Sequence, residues 1–184
     1  MLTLNQEKYL ATIPEDKKIV VQDFNPAVKV AADKVIAKIH AVKPDWNVWS
    51  MGSSELGIAG QNDIDINITS SPDKYAEQLP ILVELFGEPR QRERLPMKWT
   101  LEQDNFEVEL YLTDATSEMF KEHLDVFRML KDSRGLSERY EAIKKSASGG
   151  SFRDYMRKKY EFFNELLESR EAGLNAMGEG QDLR

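Results

Sequence analysis

The chain has 184 residues, the length of one ordinary domain. Its net charge is −7, because it contains 32 acidic and 25 basic residues. That balance argues against diffuse binding to nucleic acid, which needs many basic side chains on one face. The absence of cysteine excludes disulfides, thiol nucleophiles and thiolate metal sites. No apolar run approaches the length of a membrane span, and residues 1–16 lack the pattern of a secretory signal. We therefore expect a cytoplasmic protein without a membrane partner.

Hydrophobic periodicity and turn residues predict strands and helices in alternation, followed by a helical end. In chain order the predicted elements are a helix over 5–12, an extended segment over 18–24, a helix over 26–42 capped by Asn25, strands over 47–51 and 63–69, a helix over 71–86, a hairpin of strands 98–103 and 106–113, and helices over 116–132, 135–147 and 151–170. This order predicts an α+β fold, with a small mixed sheet flanked by helices and a helical C-terminal part.

We expect a single domain over residues 1–171. Within it, residues 1–17 would be an N-terminal extension and residues 116–171 the C-terminal helices. Residues 172–184 contain three glycines and scattered apolar residues, which predicts a flexible tail.

The strand over 63–69 carries an unusual polar face. It alternates strictly, with Asp63, Asp65 and Asn67 on one face and three isoleucines on the other. Neighbouring carboxylates repel each other, and Asp disfavours strands, so the pair needs compensation from a cation. Mg²⁺ prefers oxygen ligands and commonly combines a few carboxylates with substrate phosphates. A polar sheet face exposed to solvent explains the alternation equally well, so this strand by itself leaves both interpretations open.

A turn of Gly52, Ser53 and Ser54 ends the preceding strand. Such a turn presents backbone N–H groups and hydroxyls that hold phosphate, and glycine lets a phosphate approach the backbone closely. The pattern of an apolar residue, Gly52-Ser53, nine residues and then Asp63-Ile64-Asp65-Ile66 resembles the signature of the nucleotidyltransferase superfamily, the polymerase-β-like fold. The sequence therefore predicts a nucleotidyltransferase-like sheet.

That resemblance implies a third carboxylate on a neighbouring strand, for which Glu107 and Glu109 are the candidates. We favour Glu109, which lies near the middle of its predicted strand, while either residue could be an ordinary solvent-facing glutamate. The resemblance further implies two Mg²⁺ or Mn²⁺ ions held by Asp63, Asp65 and a glutamate, with a nucleoside triphosphate such as ATP as the substrate. The Gly52-Ser53 turn would hold the triphosphate.

The chain is also similar to one branch of that superfamily, the GrpB-like family, over residues 18–168. The similar stretches are the strand and helix start over 19–26, Val-Trp-Ser-Met-Gly-Ser-Ser over 48–54, the His-Leu and Phe-Arg pairs within 120–130, and the Tyr-x3-Lys spacings that end at Lys144 and Lys159. The family usually has a single Asp after the turn, and a His-x-His strand where Glu109-Leu110-Tyr111 stands here. These departures favour an active enzyme.

The resemblance leaves the acceptor undefined, and we expect a small molecule or a protein, since the acidic chain argues against nucleic acid. Lys144 and Lys159 are candidates to neutralise the triphosphate, with a solvated helical face as the alternative. The basic stretch of Arg90, Arg92 and Arg94, with Lys98 nearby, is either a guide for an anionic acceptor or a solvated loop. Other hypotheses are a nucleotide- or phosphate-binding module without catalysis, a partner-binding protein and a hydrolase. The sequence does not specify an oligomeric state.

Overall fold

The computed structural model describes residues 1–90 and 96–178, so Arg92 and Arg94 of the predicted basic stretch lie outside the described residues. The chain divides into two compact units. One unit is Gln22–His123, and the other combines Met1–Val21 with the residues from Leu124 onward. That residues 1–171 form one domain stays a prediction.

The elements alternate as predicted, with strands confined to the middle of the chain. The helices are α1 (Leu4–Thr12), α2 (Ala27–Val42), α3 (Gly52–Leu56), α4 (Tyr75–Phe86), α5 (Glu118–Asp132), α6 (Arg134–Ala147) and α7 (Phe152–Gly178). The strands are β1 (Asn47–Met51), β2 (Ile64–Ser70), β3 (Met97–Gln103) and β4 (Phe106–Asp114). The strands form one sheet in the order β1-β2-β4-β3, in which β2 and β4 are parallel and the other two pairs are antiparallel. The predicted α+β fold with a small mixed sheet and a helical C-terminal part is confirmed.

The sheet has one apolar face and one polar face, which confirms the predicted alternation. Ile64, Ile66 and Ile68 of β2 are buried, with the corresponding apolar residues of β4 beside them. They pack in one core with residues of α2 and α4. Burying each such side chain contributes roughly 1.5–3 kcal/mol, which makes any other register of β2 costly. The opposite face carries Asp65 and Asn67.

One segment and one strand boundary near the predicted site differ from the sequence-based prediction. The segment over 18–24 forms no strand of the sheet, because it makes only single bridges, from Lys18 to Ser151 and from Gln22 to Gly60. Strand β2 begins at Ile64, so Asp63 lies immediately before the strand. Asp63 therefore belongs to a loop, and its position depends on that loop as well as on the sheet.

The other unit is helical. Its core combines Leu10 and Ile13, at and just beyond the end of α1, with Ile19 and with Tyr155 and Met156 of α7. The backbone of α7 continues to Gly178, beyond the predicted end at residue 170. The flexible tail over 172–184 stays a prediction.

Candidate functional site

The glycine of the turn lies directly against one of the two predicted catalytic carboxylates. Met51, the last residue of β1, pairs with Asp65 of β2, and the chain then turns at Gly52 with a φ of +76°. A Cβ atom on Gly52 would lie 2.2 Å from Oδ2 of Asp65. The close approach of backbone and carboxylate therefore favours glycine, because a side chain at this position would displace the Asp65 carboxylate and because φ is left-handed.

The serines of the turn are buried, at 5% exposure for Ser53 and 7% for Ser54. The Ser54 hydroxyl donates a hydrogen bond of 2.5 Å to the carbonyl oxygen of Asp63, and the Ser53 carbonyl accepts one of 3.1 Å from the N–H of Ile58. These bonds tie the turn to the residue that precedes β2. Ser54 thus positions Asp63, and the predicted contact of both serines with a phosphate stays a prediction.

Asn62 holds the loop that carries Asp63, and sequence reasoning overlooked it. Its φ is +55°, a left-handed conformation that Asn tolerates better than most residues. Its side-chain amide donates to the carbonyl oxygen of Asp23 and to Oε1 of Gln22, each at 3.1 Å. An Asn next to an Asp at a strand start was the available signal, since Asn is common at turns.

The parallel pairing of β2 with β4 brings Glu109 beside Asp65. The two residues are partners in the register, so their side chains project from the same face of the sheet. Glu107, the other candidate, pairs with Glu102 of β3 and is exposed. The structure thus assembles Asp65 and Glu109, with Asp63 just before β2, and leaves Glu107 at the hairpin end of the sheet.

Both carboxylate oxygens of Glu109 already have donors. Nζ of Lys98 in β3 lies 2.6 Å from Oε1, and the hydroxyl of Tyr111 donates to Oε2 at 2.5 Å. Partial burial raises the pKa of the Glu109 carboxyl, but the hydrogen bonds from Lys98 and Tyr111, with the charges of Lys98 and Arg90, outweigh it and leave the pKa lowered.

Sequence reasoning missed this pairing. Successive side chains of a strand alternate between its faces, so Tyr111 shares the polar face with Glu109, but the partner residues in β3 depend on the register. Lys98 pairs with Tyr111, and Thr100 pairs with Glu109, so the lysine reaches the glutamate along a diagonal of the sheet.

The lowered pKa of Glu109 makes its contribution to stability depend on pH. A carboxyl whose folded pKa lies below its usual 4.5 stabilises the fold fully above pH 4.5, and the contribution is lost as pH falls through the folded pKa. We expect the free energy of unfolding of wild type to exceed that of Glu109→Gln at neutral pH, and the difference to shrink below pH 4.5. Urea denaturation over that range measures it. Glu107→Gln, an exposed glutamate of the same strand, controls for loss of a charge, and a difference independent of pH would contradict the prediction.

The carboxylates fit one divalent cation better than two. Across residues 1–90 and 96–178, no group of three or more Asp, Glu or His side chains is arranged to hold a metal ion. Glu109 is already paired with Lys98. Asp63 and Asp65 supply carboxylate oxygens, and Mg²⁺ is commonly held by one or two carboxylates together with substrate phosphates. The donors present therefore suit a single Mg²⁺ or Mn²⁺ that arrives with a phosphate ligand.

The two predicted triphosphate lysines belong to the helical unit. Lys144 of α6 is buried, and its ammonium group lies over the ring of Tyr140 at 5.0 Å and that of Tyr155 at 5.9 Å. Lys159 of α7 lies over the ring of Phe163 at 5.4 Å. All three contacts are cation–π interactions within that unit. Binding of a triphosphate by these lysines stays a prediction.

A cavity of about 330 Å³ lies at the end of the sheet away from Gly52 and Asp65. It is lined by Asn47, Thr69 and Ser70, which are at the start of β1 and the end of β2. None of the predicted site residues contributes to it. In the part of the chain that the structure describes, no helix combines the length and apolar character that crossing a membrane requires.

Comparison with known proteins decides the family. Residues 18–169 match the GrpB protein family. The chain belongs to the GrpB family. This range covers most of the chain and agrees with the predicted similarity over residues 18–168, so the predicted membership of that family is confirmed. No protein among the curated sequences compared with it matches this GrpB-family chain.

Solved structures resemble the GrpB-family chain in fold. The crystal structure of conserved protein GrpB from Enterococcus faecalis has a TM-score of 0.63 and 16% identity, and the match covers 82% of this chain and 99% of that one. A Cid1 poly(U) polymerase with MgGTP bound has a TM-score of 0.46 and 18% identity, over 76% of this chain and 44% of that one. A cytoplasmic RNA terminal U-transferase has a TM-score of 0.46 and 17% identity, over 76% and 42%. The chain spans less than half the length of these two proteins, and these matches assign it no activity.

Proposed function

We propose that this GrpB-family chain binds a nucleoside triphosphate together with Mg²⁺ or Mn²⁺ at Gly52 and Asp65, and transfers the nucleotidyl group to a small-molecule or protein acceptor. The observation that carries the proposal is the contact of the Gly52 backbone with the Asp65 carboxylate. A Cβ atom on Gly52 would lie only 2.2 Å from Oδ2 of Asp65. An arrangement that favours glycine here is costly to keep for stability alone, because glycine in a folded element loses more entropy than other residues.

Each residue of the site would have a separate role in this reaction. Asp65 and Asp63 would hold Mg²⁺ or Mn²⁺, which when bound would neutralise the charge on the phosphates. The backbone of the Gly52 turn would face the triphosphate, and Ser54 and Asn62 would keep Asp63 in place. An acceptor oxygen would form a bond to the α-phosphorus, the bond from that phosphorus to the bridging oxygen would break, and pyrophosphate would leave. The acceptor proton would pass to solvent or to an aspartate.

A second candidate is a nucleotide- or phosphate-binding module that performs no transfer. The pairing of Glu109 with Lys98 and Tyr111 favours it, because the third carboxylate of the predicted set is already neutralised by the protein. Such a module would keep the Gly52 turn and Asp65 and would release no pyrophosphate. The two candidates share ligand binding and differ in turnover.

The test is the melting temperature of the purified protein with ATP, GTP, CTP or UTP, each with and without Mg²⁺ or Mn²⁺. A ligand that binds only the folded state stabilises it by about 2.7 kcal/mol at a concentration near 100 times its Kd. We expect one nucleotide to raise the melting temperature of wild type in the presence of metal, and Asp65→Asn to lose that rise. Asp33→Asn, which removes an exposed aspartate of α2, is the matched control and should keep it.

Turnover is then measured with the stabilising nucleotide labelled at its α-phosphate. Label transferred to protein or to a small molecule, with release of pyrophosphate, supports nucleotidyl transfer. Stabilisation without pyrophosphate in any extract or acceptor mixture supports the non-catalytic module. If no nucleotide raises the melting temperature at millimolar concentration, nucleotidyl transfer and nucleotide binding both fail, and a partner-binding role gains over them.

A further inference from the structure

The Lys98–Glu109 pair is part of the polar face that carries Asp65. The Lys98 side chain is 30% exposed and that of Glu109 is 24% exposed, so the pair is partly shielded from solvent. Tyr111 also contacts both members of the pair. The ammonium group of Lys98 also lies 5.4 Å from the ring centre of Tyr111, whose hydroxyl donates to the other oxygen of Glu109. The backbone of Lys98 is also held in place, because the N–H of Arg90 donates to its carbonyl oxygen at 2.8 Å.

This arrangement changes what the carboxylate beside Asp65 can bind. A carboxylate with a donor at 2.5–2.6 Å on each oxygen has about half of its acceptor sites occupied, and the charge of Lys98 already offsets the negative charge that would attract a metal ion. A metal ion next to Glu109 would also face the positive charge of Lys98, and such repulsion is strong where water is partly excluded. Asp65 lies next to Glu109 in the register, on the side of the sheet away from β3.

We propose that Lys98 takes the place of a second divalent cation, so that the site binds a single cation through Asp65 and Asp63 and keeps Glu109 as the counter-ion of Lys98. This inference rests on the proposed function, because it specifies the cation content of the same site. A single positive charge replaces a double one, and its position is set by β3.

The experiment counts Mn²⁺ ions bound per chain, by electron paramagnetic resonance of free Mn²⁺ during a titration in the presence of ATP and, separately, without nucleotide. Wild type should bind one ion per chain. Lys98→Met should release Glu109 and create a second, weaker site, so that two ions bind. Lys98→Arg preserves the charge and should bind one ion, as wild type does.

The double variant Lys98→Met/Glu109→Gln is the matched control. It removes the carboxylate that Lys98→Met releases, so it should return the count to one. Melting curves show whether each variant is folded, and Lys98→Gln replaces Lys98→Met if the latter does not fold. The wild-type count tests the inference without any variant.

The outcomes separate this inference from the proposed function. Two ions on wild type, with nucleotide bound, would overturn the role of Lys98 and leave the proposed function standing. A folded Lys98→Met or Lys98→Gln variant that still binds one ion would likewise overturn it. A wild type that binds no Mn²⁺ with or without ATP would overturn the inference together with the metal-dependent function.

Discussion

Gly52→Ala is expected to abolish the nucleotide-dependent rise in melting temperature and to destabilise the protein by about 2 kcal/mol. The left-handed backbone at φ +76° accounts for roughly 1–2 kcal/mol of that loss. The new Cβ atom would lie 2.2 Å from Oδ2 of Asp65, and the aspartate can escape only by turning its carboxylate away. We therefore expect the loss of ligand binding to exceed what the lost stability explains.

Gly57→Ala is the matched control for that variant. Gly57 has a φ of +71°, and the nearest atom to its Cβ position is Cε1 of Phe24 at 3.9 Å, an ordinary contact. The two variants should lose similar stability in urea denaturation, while only Gly52→Ala loses the metal-dependent shift with nucleotide. If both keep the shift, the contact between Gly52 and Asp65 does not position a ligand group.

Trp99→Ala is expected to cause the largest loss of stability, about 3–5 kcal/mol, as for other buried aromatic side chains. Trp99 is 2% exposed in the core between the sheet and the helices α2 and α4, and its indole N–H donates to the carbonyl oxygen of Gly87 at 2.7 Å. The variant therefore leaves both a cavity and an unpaired carbonyl. Denaturant unfolding at neutral pH measures the loss.

Two further substitutions separate these contributions. Trp99→Phe keeps a six-membered aromatic ring in the core and loses the five-membered ring with its hydrogen bond, so we expect a smaller cost, of about 1–2 kcal/mol. Trp49→Ala removes a tryptophan of β1 that is 38% exposed, and it should cost clearly less than Trp99→Ala. A loss of similar size at Trp49 and Trp99 would contradict the placement of Trp99 in the core.

The sequence could predict those features of the site that depend on residues adjacent in the chain. A glycine turn after a short strand, followed by Asp63-Ile64-Asp65, specifies a backbone conformation and an alternation of faces over adjacent residues. The structure confirms the alternation of β2. The predicted start of β2 at Asp63 was one residue too early, because the local pattern cannot show where pairing with β1 and β4 ends.

The choice between Glu107 and Glu109 illustrates what residues adjacent in the chain cannot determine. Both are polar-face residues two positions apart on one strand, so their periodicity is the same. Their neighbours differ only because the parallel pairing of β2 and β4 places Asp65 beside Glu109, and because the hairpin places Glu102 beside Glu107. Parallel pairing joins segments more than 40 residues apart in the chain, and nothing in a single segment encodes its offset.

The sequence by itself determined the α+β class, the two faces of the sheet, the glycine turn and the family resemblance, because each rests on neighbouring residues or on fixed spacing. The tertiary structure alone decided that Lys98 neutralises Glu109, that Ser54 and Asn62 hold Asp63, and that Lys144 packs on two tyrosines. These contacts depend on strand register and helix packing, which follow from burying one apolar face of the whole sheet and not from any single motif.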